Sequence, residues 1–330
     1  MDASRESVIE TNSVAHPNPQ PDSQSVAQPG LTSPLDSADP TQLAQGLGLY
    51  VIPVDQVVTH ERYNGERVQG LMARIAAEDR LINPPVVVAY GGRYVVLDGA
   101  TRVTAFRRLG YPHIIVQVVD LHTHRVRLDT WQHTVHGGTP ADLLAMLGSI
   151  EGLRITPMPV TKLLGRTPVR PVIGYLLTPG DRGYWLEMDA TQIAEEQDGE
   201  QDREPGGDAW LALFNRLVDS CGAWGRIERT LSTDMDALAA HYPDLAGHFV
   251  YHGFEAQEVL ALAASGHTVP AGITRFVIPG RILRLNAPLD RLLADEPAAS
   301  KRAWLNDLVA AKIANRQMRY YEEPVILLDE

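Results

Sequence analysis

The sequence predicts a mixed α/β (α+β) chain built as two units, and three observations predict it. Short β-branched runs such as "PPVVVAY" and "HIIVQVV" are bounded by turn residues. Segments with apolar residues at helical spacing stand between them. At Asp98-Gly99 the pattern changes from strand to helix at a single turn. The 330 residues suffice for two domains of ordinary size, and 44% of them are hydrophobic, enough to fill two cores.

Residues 1–44 are rich in Ser, Pro, Gln, Asp and Ala. "HPNPQPDSQSVAQPG" has no apolar period with which to bury a core, so a disordered tail is expected. Residues 45–150 read as one compact α/β unit. "GLYVIPVDQVV" is one strand or two, running into a loop at His60-Glu61. In "GERVQGLMARIAAED", Val68, Leu71, Met72, Ile75 and Ala76 recur at helical spacing. "PPVVVAY" is a buried strand whose prolines exclude helix. Gly91-Gly92 suits a hairpin turn, from which "RYVVL" returns. "TRVTAFRRL" is a short helix with Val103, Phe106 and Leu109 inward, stopped by Gly110. "HIIVQVV" is the next strand.

Residues 151–330 form the second α/β unit. "MPVTKLLGRTPVRPVIGYLL" and "GYWLEM" read as a loop and a hairpin, and residues 139–190 as a whole read as loops and strands. Ala194 to Asp208 is a charged surface loop. "AWLALFNRLVDSC", "EAQEVLALAASG" and "KRAWLNDLVAAKIANRQM" are helices, and "HFVYHGF" is a strand. No internal repeat is present.

Composition narrows the function. No apolar run reaches the roughly 18 residues of a membrane span, and no signal-peptide pattern opens the chain. The one cysteine, Cys221, makes no internal disulfide, which fits a reducing cytoplasm. A net charge of −12 argues against a bulk nucleic-acid binder. His122, His124, His133 and His136 lack the cysteine partners or the i, i+4 spacing beside glutamate of a zinc site.

The segment "YVVLDGATRVTAFRRLGY" carries the chemistry. A helix N-terminus presents unpaired N–H groups and partial positive charge, so it favours anions. Gly99 lets the backbone turn sharply and a ligand approach. Ala100 keeps the path clear, Thr101 offers a hydroxyl, and Arg102 has the planar fork that pairs with phosphate oxygens. Asp98 repels phosphate unless it works through Mg²⁺ or orients a substrate hydroxyl. The plainer alternative is a helix-capping Asp98 and a solvated Arg102, and spacing alone favours it, because four-residue patterns of this kind are common by chance.

"LDGATRVTAFRRLGYPHIIVQVVD", preceded by "VIPVDQVVTHE" and "LINPPVVVAY", resembles the phosphate-binding segment of the ParB/sulfiredoxin fold. It is more specifically similar to the ParB-like free L-serine kinases. That similarity continues in "LDTWQHTV", "VPAGITRFVIPGRILRLNAPL" and "RYYEEPVILLDE". The resemblance implies transfer of a phosphoryl group from ATP or ADP to the serine hydroxyl, with Mg²⁺. The product would be O-phospho-L-serine for siderophore, diaminopropionate or cysteine synthesis. It places a general base at Glu61 in "THERYN" and a phosphate motif at Asp98, Gly99 and Arg102. Some relatives carry His-His where this chain has Ala100 and Thr101, which leaves the donor nucleotide open. Trp131 and His133 become candidates for the amino-acid substrate, joined by Arg275 and Arg281 around the Pro279-Gly280 turn.

The expected partners are therefore a nucleotide and L-serine, with no membrane and no nucleic acid; a homodimer is compatible with the chain. The alternative is a ParB-like, nucleotide-dependent DNA-binding or regulatory protein. Such a protein should follow its first unit with a helix-turn-helix and a basic surface, whereas prolines crowd residues 139–190. A sulfiredoxin-like enzyme would need a reactive cysteine near the phosphate loop, and Cys221 lies far from it in sequence.

Overall fold

Val51, Ile52, Val87, Val96 and Ile114 through Val116 are all buried, and they build the sheet that carries the first half of the site. The computed structural model describes residues 39–62, 65–189 and 207–321. In the first unit the order is α1 (Pro40–Gly46), β1 (Leu49–Pro53), β2 (Val57–Thr59), α2 (Gly65–Glu78), β3 (Arg80–Leu81), β4 (Val86–Tyr90), β5 (Arg93–Asp98), α3 (Ala100–Arg108) and β6 (His113–Val119). The five-stranded sheet has the order β1-β6-β4-β5-β2. β4 pairs antiparallel with β5 through the Gly91-Gly92 turn and parallel with β6.

After β6 come β7 (Arg127–Thr130), β8 (Gln132–His136), α4 (Pro140–Gly148), β9 (Leu153–Pro159), α5 (Val160–Leu163), β10 (Val172–Thr178) and β11 (Arg182–Met188). Then follow α6 (Gly207–Trp224), β12 (Arg226–Thr230), α7 (Met235–His241), β13 (Leu245–Tyr251) and α8 (Ala256–Ala264). The chain continues through β14 (Thr274–Val277), β15 (Ala287–Pro288), α9 (Asp290–Leu293) and α10 (Ala298–Ala314). The second sheet has six strands in the order β12-β8-β13-β10-β11-β9. Two short pairs, β14 with β7 and β15 with β3, stitch late segments to early ones.

The described residues alter three sequence expectations. The tail was expected to run to residue 44, but α1 begins at Pro40. The Asp39 side chain accepts from the Thr41 N–H at 2.9 Å, and Ala44 is buried. The rest of the expected tail, residues 1–38, lies outside the described residues, as do most of the charged loop at 194–208 and residues 322–330. Secondly, 139–190 is not all loop and strand. Thr139 accepts from the Asp142 N–H while Asp142 accepts from the Thr139 N–H, and Pro140 opens α4 behind this capping box.

Thirdly, the cores do not divide at residue 150. β8 already belongs to the six-stranded sheet. In the other direction, Leu289, Leu292, Leu305 and Val309 pack with Val51, Phe106 and Ile114 in the first core. The opposite face of the first sheet, through Val88, Val95 and Leu97, is covered by Leu260 and Ala263 of α8. The first sheet is thus enclosed on both faces by later parts of the chain.

Candidate active site

β5 delivers Asp98 to the edge of the first core, and the chain then turns at Gly99 with φ +98° into α3. No side chain caps this helix start, so the first-turn N–H groups are left for another acceptor. Arg102 curls back over the turn. One terminal nitrogen donates to Asp98 Oδ2 at 2.5 Å, and the other donates to the carbonyls of Asn83 at 2.7 Å and Pro84 at 3.2 Å. A Cβ on Gly99 would lie 2.9 Å from Arg102 Nε, so glycine is required by both the backbone angle and the guanidinium. Burial pulls the Arg102 pKa down, opposed chiefly by the Asp98 charge. From the late segment, Arg281 donates to the same Asp98 Oδ2 at 2.6 Å.

Glu61 stands at the other end of the site. The backbone at 60–62 is stitched to Val269: Val269 N–H donates to His60 O at 2.8 Å and Arg62 N–H to Val269 O at 3.2 Å. This brings the Glu61 carboxylate onto the start of β14. Oε2 accepts from the Gly272 N–H at 3.2 Å; Oε1 accepts from the Thr274 N–H at 3.1 Å and from the Thr274 hydroxyl. Two carboxylate oxygens have about four lone-pair positions. Three are engaged, so one on Oε2 is left for a substrate.

His60 supports this arrangement from beneath. Its Nδ1 donates to the Val96 carbonyl, which accepts only, and its Nε2 lies 2.8 Å from Thr274 Oγ1. In the neutral imidazole Nε2 is then an acceptor, and the single Thr274 hydroxyl proton serves either His60 or Glu61. Burial drives the His60 pKa down, while Glu61, the Val96 carbonyl and Asp98 oppose the shift.

Glu61 and Asp98 line one cleft of about 1320 Å³. It is lined by the end of β5 and the start of α3, and by β14 with Ile278 and Arg281 after it. Seven arginines line it against these two carboxylates. Arg67 and Arg74 come from α2, Arg102 from α3 and Arg229 from β12, while Arg275, Arg281 and Arg284 follow Gly272. A strongly basic cleft in a chain of net charge −12 is a local device for holding an anion. Leu71, Ile75 and Leu81 add an apolar stretch of wall.

The residues expected from the sequence divide accordingly. Glu61, Asp98, Gly99, Ala100, Thr101, Arg102, Trp131, Arg275 and Arg281 all line the cleft. Arg275 donates to Asp129 at 2.7 Å and lies 5.0 Å from the centre of the Trp131 ring. His133 does not reach the cleft, which corrects its expected role in contacting substrate. It is 2% exposed, donates from Nε2 to the Gly272 carbonyl at 3.0 Å, and accepts at Nδ1 from the Tyr251 hydroxyl at 3.2 Å. Burial lowers its pKa to about 4, so it is a neutral strut behind the loop that holds Glu61. Arg102 also differs from the free fork expected, since Asp98 and two carbonyls already engage it. Thr274 and Arg229 were not expected. "GITRF" holds a threonine, but only the fold reveals that it lies against Glu61.

A mixed α/β protein with an uncapped helix start, a basic cleft and an acceptor carboxylate is the class that fold and site define. No protein-family model matches the sequence. The chain is 29% identical over 287 residues to the ATP-dependent L-serine kinase SbnI of Staphylococcus aureus, covering 86% of this chain and 97% of that protein. Over 83 residues it is 35% identical to the ATP-dependent L-serine kinase of Desulfurococcus mucosus, a stretch spanning 32% of that relative. Among solved structures, a C-terminally truncated SbnI from Staphylococcus aureus superposes with a TM-score of 0.59 at 26% identity, covering 81% of this chain and 97% of that one. A free serine kinase in complex with AMP superposes with a TM-score of 0.60 over 74% of this chain and 94% of that one. At 16% identity, this similarity concerns the fold alone.

Proposed function

We propose that the chain is an ATP-dependent L-serine kinase that makes O-phospho-L-serine and ADP. The observation that carries this reading is the shared cleft: an acceptor carboxylate, Glu61, and an uncapped helix start at Gly99 open onto the same arginine-lined space. The similarity to serine kinases over nearly the whole chain supports it. After the first unit, the described chain passes from α4 directly into β9, without the paired helices of a helix-turn-helix, which favours a small-molecule kinase over a DNA-associated protein.

The terminal phosphates of ATP bind at the N–H groups that open α3, with the Thr101 hydroxyl beside them. Arg102 holds Asp98 and the turn in place and adds its charge. Leu71, Ile75 and Leu81 offer the base an apolar wall. The serine hydroxyl donates to the remaining lone pair of Glu61 Oε2 and passes its proton there as its oxygen bonds the terminal phosphorus. The bond from that phosphorus to the bridging oxygen breaks, and ADP leaves with the electron pair. Trp131, Arg275 and Arg281 shape the substrate side of the cleft.

The residues also fit Mg²⁺. Asp98 Oδ2 is clamped by Arg102 and Arg281, while Oδ1 has no hydrogen-bond partner among the described residues, and Asp98 lines the cleft. No group of three metal-ligating side chains occurs among the described residues. Asp98 is the residue that would help to hold such an ion beside the phosphates. When bound, Mg²⁺ would offset charge on the transferring group.

The test is turnover with an amino-acid panel, ATP or ADP, and Mg²⁺, read by phosphorus NMR. Serine-dependent formation of O-phosphoserine from ATP is expected. Nucleotide-gated loading onto DNA with no serine-dependent turnover would favour the DNA-associated reading instead.

A further inference from the structure

The arginines of the cleft differ in what already holds them. Arg102 and Arg281 are committed to Asp98, and Arg275 to Asp129. The Arg229 guanidinium makes no hydrogen bond or ion pair with any described residue, although it lines the cleft. It also lies on the Glu61 side. A Cβ built on Gly272 would fall 2.6 Å from Arg229 Nε, and the N–H of that same Gly272 donates to Glu61 Oε2.

Its position is fixed by the sheet. Arg229 pairs in register with His133 across β12 and β8, and His133 donates to the Gly272 carbonyl. Gly272, at φ +76°, therefore packs beneath the guanidinium while its two backbone groups are held by Glu61 and His133. Glycine alone satisfies both the backbone angle and the close approach.

A serine whose hydroxyl meets Glu61 Oε2 has its α-carboxylate separated from that hydroxyl only by Cβ and Cα. That anion needs a cation on the Glu61 side, and it cannot sit beside the Glu61 charge without one. Of the other cleft arginines, Arg67 and Arg74 stand on α2 with the apolar wall, and the Arg284 backbone N–H donates to Asn83, whose carbonyl Arg102 holds; the guanidinium packed on Gly272 is that of Arg229. A planar guanidinium matches a carboxylate in a two-point contact.

We infer that Arg229 binds the α-carboxylate of the amino-acid acceptor and thereby selects free amino acids over amides and esters. The inference rests on the kinase reading above and names the specificity residue of that site.

The test compares L-serine with L-serinamide as acceptors, using ATP, for the parent, Arg229→Gln and Arg229→Lys. For the parent, kcat/KM should favour L-serine by about 10²-fold or more, since the amide leaves a charged site unpaired. Arg229→Gln should lose about 10–10²-fold with L-serine, mainly through KM, roughly the loss of a charge-assisted pair. Its rate with L-serinamide should change by less than about threefold, so the preference collapses. Arg229→Lys, a point charge without the fork, should fall between them.

A preference for L-serine undiminished in Arg229→Gln would overturn the inference. So would equal loss with both acceptors in variants that melt with the parent. A parent with no turnover of either acceptor would overturn the kinase reading itself, and the inference with it.

Discussion

Three donors from Gly272 and Thr274 fix the orientation of the Glu61 carboxylate, the group proposed to take the proton of the serine hydroxyl. Glu61→Gln keeps the shape and removes the charge. Its kcat should fall by about two decades or more while ATP binding, followed by calorimetry, stays near the parent's. Near-parental turnover would remove Glu61 from the mechanism. His133 gives a separate test at the same scale. Its folded pKa lies at about 4, as does that of the buried His248, whose ring nitrogens lack protein partners. Both would titrate near 6.5 when unfolded. Between those values the unfolded chain binds more protons, so stability should fall as pH drops from about 6.5 toward 4. Urea midpoints measured across that range should show the decline, and His133→Phe should lessen it. Asp98 and Gly99 stood out in the sequence because they share a short local pattern, whereas Glu61 was singled out through the family resemblance. Thr274, Arg229 and the strut role of His133 were not legible, because each depends on contacts between residues far apart in the chain.

At the scale of elements, the turn between β5 and α3 was read correctly as strand, glycine, helix, since Asp-Gly between a β-branched run and a helical period admits little else. What the sequence did not disclose is that Arg102 folds back onto that turn. Gly99→Ala places a Cβ in the left-handed region and against the guanidinium. It should cost about 1–2 kcal/mol in stability by thermal or urea unfolding, and ATP affinity should drop because the helix start is displaced. Retention of both would mean that the turn does not require glycine. α4 carries a legible signal of its own. "TPAD" is a capping box with proline at the first helical position, and the density of prolines further along obscured it. α1 is too short for composition to announce it. It is ordered because Ala44 packs into the first core and the helix lies against α10.

Across the whole molecule, the two units are interleaved. α10 closes the first core from the end of the chain, α8 covers the other face of the same sheet, and β14 supplies the donors that orient Glu61. The sequence pattern suggested two successive units because periodicity reports which residues are buried and not against which partner. Integrity of the cleft therefore depends on residues far from it. Leu305, fully buried in α10, makes a clean case. Leu305→Ala should cost about 2–5 kcal/mol in chemical denaturation and unfold the first sheet along with the helix. A loss confined to α10, with the sheet still protected in hydrogen exchange, would show that the units are independent. This interleaving also gives an acidic chain one basic space: cations from α2, α3, β12 and the segment after Gly272 converge on the cleft proposed to hold ATP. The most direct test of that convergence is phosphorus NMR of the purified chain with ATP, Mg²⁺ and L-serine. The account predicts O-phospho-L-serine and ADP in equal amounts, formed only when L-serine is present. ATP consumed at the same rate without L-serine, or not consumed with it, would contradict it.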